Sequence, residues 1–379
     1  MFQYQINHRF FAQVPEGIEE LAGQELTELG AERVRTSYRG VFFDAGKADL
    51  YRINYGARLT TRVLAPLITF RCHNPDYLYR KSKEILWEQF FTPDHTFAVF
   101  ANVTHSKIHH SRYAALRLKD AVVDSFRERF SRRPSVEKIE PDVWIGLYIE
   151  NDKATVSLDT SGGSLHRRGY REEGGRAPMQ EITAAAMIRL SEWDGSKPLY
   201  DLMCGSGTLL SEALMAYCGI PGSYTRKRFG FQYLPDFDEP LWLAVKKELD
   251  SAMREPPHGL LSGSDVAGDA VTSAMKNMMD LPYGDRVGLS VADFRTLPDL
   301  PDRVILCNPP YGIRLDRDKD LAPFYKDLGD FLKQRCLGSS AFIYFGNRTW
   351  IAHVGLKPSW KKALKSGGLD GRLLKYEIY

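Results

Sequence analysis

The segment Pro198-Leu199-Tyr200-Asp201-Leu202 reads as a buried strand carrying an acid. Met203-Cys204-Gly205-Ser206-Gly207-Thr208 follows as a glycine-rich turn into a helix from about Leu209 to Tyr217. Strand, tight turn and helix in so few residues constrain the chain to a sheet whose strands are joined by helical crossovers. Further buried runs agree. Leu260 to Asp265 is followed by a helical pattern, Val287 to Val291 and Arg303 to Cys307 read as strands, and Ala341 to Phe345 and Leu373 to Tyr379 as later strands. The expected fold from Pro178 onward is α/β, an open, doubly wound, mostly parallel sheet.

Ligands of such sheets bind at the carboxyl ends of the strands, where four elements of this sequence fall. In the first, Asp201 through Thr208, glycines let the backbone approach a ligand closely, while the acid disfavours a phosphate and suits a cation such as an amino group. No Gly-Lys-Ser/Thr follows, so it is not a P-loop, and no third glycine completes a dinucleotide fingerprint. The second is Asp265, placed to accept two ribose hydroxyls or to cap the next helix, with Asp269 as a competitor. The third is Ala292-Asp293-Phe294. Asp293 suits an adenine amino group or a simple Asx turn, and Phe294 could pack on a base. The fourth is Asn308-Pro309-Pro310-Tyr311. The exocyclic amine of a purine is a poor nucleophile because its lone pair is delocalised. The Asn308 side-chain oxygen and the Pro309 carbonyl can accept its N–H groups, the prolines hold that carbonyl rigidly, and Tyr311 offers a stacking face.

The N-terminal half has a different pattern. Residues 1–64 read as a small α+β unit: a strand at Phe10–Val14, a helix with Ile18, Leu21, Leu26 and Leu29 inward, and a strand at Gly40–Asp44. Residues 65–165 read as a second. Its helices are Tyr77–Phe91, with Leu78, Ile85, Leu86 and Phe90 inward, and Arg112–Phe130, with Leu116, Ala121, Val122 and Phe126 inward. Its strands are Thr96–Val103, Trp144–Ile149 and Ala154–Asp159. Glycine- and charge-rich residues 166–177 read as a linker, and 178–379 as the α/β domain. Net charge is only +3, yet residues 105–135 hold eight basic residues against three acids, with His105, His109 and His110. That stripe fits a localised anionic partner or a solvated helix face. Five scattered cysteines without a CxxC pair argue for free thiols rather than disulfides or zinc, and no metal is expected. No signal segment or apolar run of membrane length is visible, so a cytoplasmic protein is expected.

Taken together, the four C-terminal elements resemble class I S-adenosylmethionine methyltransferases of the amino-methylating kind, which implies a Rossmann-like seven-stranded sheet. The resemblance extends forward. Val14-Pro15-Glu16-Gly17-Ile18-Glu19-Glu20-Leu21 resembles the ferredoxin-like domain that precedes a THUMP domain in RNA methyltransferases. Ser111 to Asp124 and Ser157 to Arg171 resemble the THUMP helix and its exit strand. Asp201 to Leu209 and Asn308 to Gly312 are most similar to the RlmL family, which methylates guanine N2 in 23S ribosomal RNA. The resemblance implies S-adenosylmethionine as cofactor, with Asp201, Met203, Cys204, Gly205, Ser206, Gly207 and Thr208 at its methionine end, Asp265 at the ribose, and Asp293 and Phe294 at adenine. Gln180, Glu181 and Thr183, ahead of the first strand, would border it as well. Asn308, Pro309, Pro310 and Tyr311 would carry catalysis, with Asn308 also touching the cofactor.

In that reading Lys107, Arg112, Arg117 and Lys119 bind RNA backbone, and His109, His110 and Tyr113 stack on unpaired bases. The basic loop Ser223–Phe229 and the run His166-Arg167-Arg168 fit either an RNA path or plain surface. The implied substrate is 23S rRNA or a large-subunit assembly intermediate. A tRNA guanine-N2 enzyme, a protein-glutamine or DNA-adenine methyltransferase and an inactive RNA-binding module are the alternatives. Leu202 stands where the family usually has proline, and Ile313 where glutamate is common. The sequence has one methyltransferase pattern, whereas some RlmL proteins carry a second, so one activity is expected.

Overall fold

The structure, a computed structural model, describes residues 1–171, 179–312 and 320–379. The chain forms two compact units. One comprises Met1–Val14, Ala22–Leu165 and Arg226–Lys247; the other comprises Pro15–Leu21, His166–Thr225 and Glu248–Tyr379.

The first unit is built on an eight-stranded sheet of β1 (Arg9–Gln13), β2 (Glu32–Ser37), β3 (Gly40–Asp44), β4 (Arg62–Arg71), β5 (Thr96–Thr104), β6 (Ser135–Val136), β7 (Val143–Glu150) and β8 (Lys153–Asp159). Its order is β2-β3-β1-β4-β8-β7-β5-β6. Pairing is antiparallel except that β5 runs parallel to β6 and β7. The β7–β8 hairpin turns through Asn151 and Asp152, both at positive φ, as a two-residue turn requires. Helix Ser111–Phe130 packs on β5 and buries Ala114, Leu118, Ala121, Val122 and Phe126. Leu116, expected inward, is 47 % exposed: it lies midway between Ala114 and Leu118, off the stripe that three- and four-residue steps trace. The helix expected over Tyr77–Phe91 ends early. Pro75–Lys83 is helical, and Trp87–Gln89 is one 3-10 turn. The buried Trp87 indole donates to the Ser82 carbonyl at 2.9 Å, satisfying a group that the end of the helix leaves free, and Leu86 turns out to solvent.

The segment Arg226–Lys247 joins this first unit through aromatic packing. Tyr51 meets Phe231 at 4.6 Å between ring centroids, and Tyr55 meets Trp242 edge-on at 5.4 Å. The Arg226 guanidinium donates to the carbonyls of Ser161, Gly162 and Ser164 at 3.2, 3.3 and 2.8 Å, and Arg228 pairs with Asp142 at 3.1 Å. Two cations of the basic loop thus have internal partners.

The second unit is an α/β sheet of β9 (Leu199–Asp201), β10 (Leu261–Asp265), β11 (Gly288–Val291), β12 (Val304–Cys307), β13 (Ser340–Phe345), β14 (Trp360–Ala363) and β15 (Arg372–Glu377), ordered β11-β10-β9-β12-β13-β15-β14. The first five in that order are mutually parallel, and β15 runs antiparallel to both neighbours. This is the seven-stranded, doubly wound sheet expected. Strand order reverses at β9, which lies between β10 and β12, so their carboxyl ends open a crevice. Beneath it, Tyr200, Ile305, Leu328, Ile343 and Leu374 share one apolar core.

The start of the expected linker is packed rather than loose. Arg168 and Tyr170 are buried, Arg168 Nε pairs with Glu212 at 3.0 Å, and the Tyr170 hydroxyl approaches the same carboxylate at 3.4 Å. Linker residues 172–177, Pro178 and Ile313 lie outside the described residues. Among those described, no helix is long and apolar enough to cross a membrane, and all five cysteines are free and buried.

Candidate active site

The acid–glycine turn forms as β9 ends. Asp201 is 1 % exposed; its Oδ1 accepts the Met203 N–H at 3.1 Å, whereas its Oδ2 is buried with no hydrogen-bond partner among the described residues. Burial, with the Asp265 charge adding to it, pushes the Asp201 carboxyl up to about 7. Gly205 and Gly207 both have positive φ. A Cβ on Gly205 would meet nothing within 4 Å, leaving its backbone open to a ligand. One on Gly207 would stand 3.0 Å from Ala274 Cβ and Met278 Cε. Gly207 therefore serves helix packing, while its neighbours face the crevice. Asn277 holds the turn from behind, donating to the Ser206 carbonyl at 3.0 Å, a contact invisible in sequence.

Asp265 braces the same turn. Its Oδ2 accepts the Gly205 N–H at 2.9 Å and its Oδ1 accepts the Ala267 N–H at 3.0 Å, so one carboxylate holds the loop and retains lone pairs for a ligand. Asp269 is exposed, and its side chain accepts the Ala270 N–H at 3.0 Å in the first turn of its own helix. Asp293 caps the turn Phe294–Thr296 through the Arg295 N–H at 2.9 Å and pairs with the Arg295 guanidinium at 2.9 Å, so the Asx turn is real. Phe294 is 3 % exposed, edge-on to Phe324 at 5.6 Å.

The Asn-Pro-Pro-Tyr turn leaves β12. Tyr325, buried on helix Ala322–Arg335, donates to the Pro310 carbonyl at 2.8 Å, and the Trp350 indole donates to the Tyr311 carbonyl at 3.3 Å. Tyr325 and Trp350 stack at 5.8 Å and stiffen this support. Asn308 Oδ1 is buried with no partner among the described residues. The thiols of Cys204 and Cys307 are pushed up by burial and by the nearby Asp201 and Asp265 carboxylates, so both stay protonated and neither is a nucleophile.

A single cleft of about 550 Å³ gathers Asp201, Met203 to Ser206, Thr208, Asp265, Asp293, Phe294 and Asn308 to Tyr311. Its apolar wall includes Met179, from the segment expected to border the cofactor, and Phe324, which the sequence reading missed because it belongs to no motif. Gln180 and Glu181 line a neighbouring cavity instead, and Thr183 is buried, donating to Ser366 at 2.9 Å; among the described residues of that segment only Met179 reaches the cleft. Arg171 joins the parts: it donates to the Thr208 hydroxyl at 2.6 Å and the Met179 carbonyl at 3.0 Å, and pairs with Glu181 at 3.3 Å.

In the first unit Lys107, His109, His110, Arg112 and Tyr113 cluster exposed before and at the start of helix Ser111–Phe130. Arg117 and Lys119 differ, being paired with Asp76 at 2.9 Å and Asp120 at 2.5 Å.

Residues 168–375 match the RMKL-like methyltransferase domain, residues 72–159 the THUMP domain and residues 9–64 the RlmL ferredoxin-like domain. A protein of Synechocystis sp. described as a candidate RNA methyltransferase is 39 % identical, covering 98 % of this chain and 97 % of its own length. The ribosomal RNA large subunit methyltransferase K/L of Syntrophotalea carbinolica is 37 % identical over 98 % of this chain; the chain spans about half the length (53 %) of that relative. Among solved structures, SMU.472, a candidate methyltransferase crystallised with SAH, superposes with a TM-score of 0.85 at 29 % identity, covering 98 % of each chain. TrmN of Thermus thermophilus, at 16 % identity and a TM-score of 0.70, shares the fold. The chain belongs to the RMKL-like methyltransferases, with RlmL ferredoxin-like and THUMP domains ahead of the catalytic fold.

Proposed function

We propose that this protein transfers a methyl group from S-adenosylmethionine to the exocyclic N2 amine of a guanine in RNA, with 23S rRNA as the substrate. The reading rests on Asn308 Oδ1. A buried amide oxygen without a partner carries a desolvation penalty that an incoming N–H donor removes. Asp201 Oδ2, the second orphaned acceptor of the same cleft, suits the cofactor's ammonium group, so the residues present fit the cofactor. Asp265 has acceptor capacity left for ribose hydroxyls, and Asp293 and Phe294 border the place for adenine. When bound, the cofactor supplies an electrophilic methyl on a sulfonium.

The protein's share is orientation. Asn308 Oδ1 and the Pro309 carbonyl accept the two amine hydrogens, turning the nitrogen lone pair out of conjugation and toward the methyl. Tyr325 and Trp350 hold the carbonyls of Pro310 and Tyr311, which fixes the turn that presents Pro309. No side chain of the turn is a base at neutral pH, so the amine proton leaves to water. The K/L relatives' name and the exposed basic cluster Lys107–Tyr113 support an RNA substrate, reached by flipping the base out of its stack.

The test is Asn308→Ala. The expected result is a loss of turnover of roughly 100-fold or more, the range for one preorganised hydrogen-bonding group, with cofactor affinity within about threefold of wild type. Parallel losses in turnover and cofactor affinity would contradict the role.

A further inference from the structure

The second unit holds a concentration of charge that the cleft does not explain. Residues 348–375 contain seven Lys and Arg against one acid, Asp370, in a chain whose net charge is only +3. The fold gathers part of this charge along one edge of the sheet. β14 is the last strand in the order; it pairs with β15 on one side and with no strand on the other among the described residues. It contains Trp360, Lys361 and Lys362, with Lys357 just before it and Lys365 just after.

Four of the seven cations have acidic partners. Arg348 and Arg372 share Asp370, the latter at 2.6 Å, Lys365 pairs with Glu16, and Lys375 pairs with Glu377 at 2.6 Å. Lys357, Lys361 and Lys362 are exposed and have no acidic partner among the described residues. One of them is held in place. Lys362 Nζ lies 4.8 Å from the centroid of the Trp360 ring, and Trp360 packs on the buried Phe342 at 5.8 Å. A cation seated on an aromatic face has less freedom to lose when an anion arrives.

The direction of the strand matters too. β13 and β14 both run antiparallel to β15, so β14 points the same way as the parallel strands, with its carboxyl end on the side of the crevice. Ser366, Gly367 and Leu369, in the turn that follows, line a cavity that shares Met179 and Tyr311 with the cleft. The lysines therefore lead along an open edge toward the cleft. A partner lying on them must be anionic, extended and able to continue into a recess. A strand of RNA beside the target base meets all three conditions, and a lipid surface only the first.

We propose that the β14 edge, through Lys357, Lys361 and Lys362, binds the phosphate backbone of the RNA strand that flanks the methylated base. The proposal rests on the methyl-transfer reading above and adds an RNA contact on the catalytic unit, made by residues other than the Lys107–Tyr113 cluster.

The experiment replaces Lys357→Gln, Lys361→Gln and Lys362→Gln together in the full chain. Binding of a fluorescent oligouridylate of about 20 nucleotides, longer than a typical single-strand site, is measured by anisotropy over a range of salt concentrations. The variant should melt as wild type does and keep its S-adenosylhomocysteine affinity. The slope of log affinity against log salt should fall by about 2, at about 0.7 per lost phosphate contact, and affinity at about 0.15 M salt should drop on the order of tenfold or more. In methylation kinetics KM for RNA should rise while kcat at saturating RNA stays. Arginine at the same three positions should preserve the wild-type slope. Lysines on an edge strand also discourage pairing with other chains. If that is their whole role, the glutamine variant self-associates while its salt slope is unchanged, which overturns the proposal. An unchanged slope together with lost binding to phosphatidylserine vesicles overturns it as well. A reduced slope with no methyl transfer to any RNA would uphold the surface and overturn the function instead. Methyl transfer to RNA with an unreduced slope would do the reverse.

Discussion

Cofactor affinity should depend on pH through Asp201. Its carboxyl is pushed up to about 7 by burial, and one of its oxygens has no partner. A proton on it removes the charge that an ammonium group needs. Each pH unit below 7 should therefore weaken S-adenosylmethionine binding about tenfold, or 1.4 kcal/mol. The cofactor's own amine, with an ordinary α-amino pKa near 7.7–8.0, weakens binding again above about pH 8, so affinity peaks between them. Stability of the ligand-free protein should move with the same group. An acid whose pKa rises from 3.8 to about 7 holds its proton more tightly folded than unfolded. Its contribution is full below pH 4 and declines as pH climbs to 7, by on the order of 4 kcal/mol at most. Asp201→Asn keeps an oxygen for the Met203 N–H but carries no charge. The variant should outlast wild type in urea at pH 8, match it near pH 4, bind cofactor about 10- to 100-fold more weakly at pH 7.5, and lose the acid limb of the affinity profile. Calorimetric titration from about pH 5.5 to 8.5 and urea melts at about pH 4 and pH 8 read all four. A flat affinity profile in wild type, or an acid limb that survives in Asp201→Asn, would refute the reasoning.

Two further outcomes follow from buried and exposed charge. Arg168 and Glu212 form an ion pair with side chains 1 % and 0 % exposed, so Arg168→Leu strands a buried carboxylate and should lower stability by about 3–5 kcal/mol in urea unfolding; a loss under 1 kcal/mol would show that the pair is not buried in solution. Lys107→Ala with Arg112→Ala should weaken RNA binding evenly across sequences and reduce the slope of log affinity against log salt by about 1.4 for single-stranded RNA; an unchanged slope would remove this cluster from the interface.

The catalytic half was legible because its signals are local. A buried run, an acid and a glycine turn report a parallel strand end within about ten residues, and Asn308 to Tyr311 repeats that grammar at β12. What escaped depends on distant partners. Arg168 looks like a linker charge until Glu212, 44 residues on, is brought against it. Arg226 and Arg228 look like a free basic loop until the Ser161–Ser164 carbonyls and Asp142 take them up. Tyr325 and Trp350 support the Asn308–Tyr311 turn from a helix and a 3-10 segment that carry no motif. β14 was missed because Trp360–Ala363 is a partly exposed edge strand without alternation. Leu116 and Leu86 were placed inward because they are apolar; phase along the helix, and for Leu86 the helix end, decided otherwise.

The most direct measurement of the central claim is methyl transfer from labelled S-adenosylmethionine to separated 23S rRNA, 16S rRNA and tRNA pools from a strain lacking this protein, followed by nucleoside analysis. The account predicts label in 23S rRNA, recovered as N2-methylguanosine. The same nucleoside in tRNA would keep the chemistry and replace the substrate; label on another base, or in none of the three pools, would contradict the account.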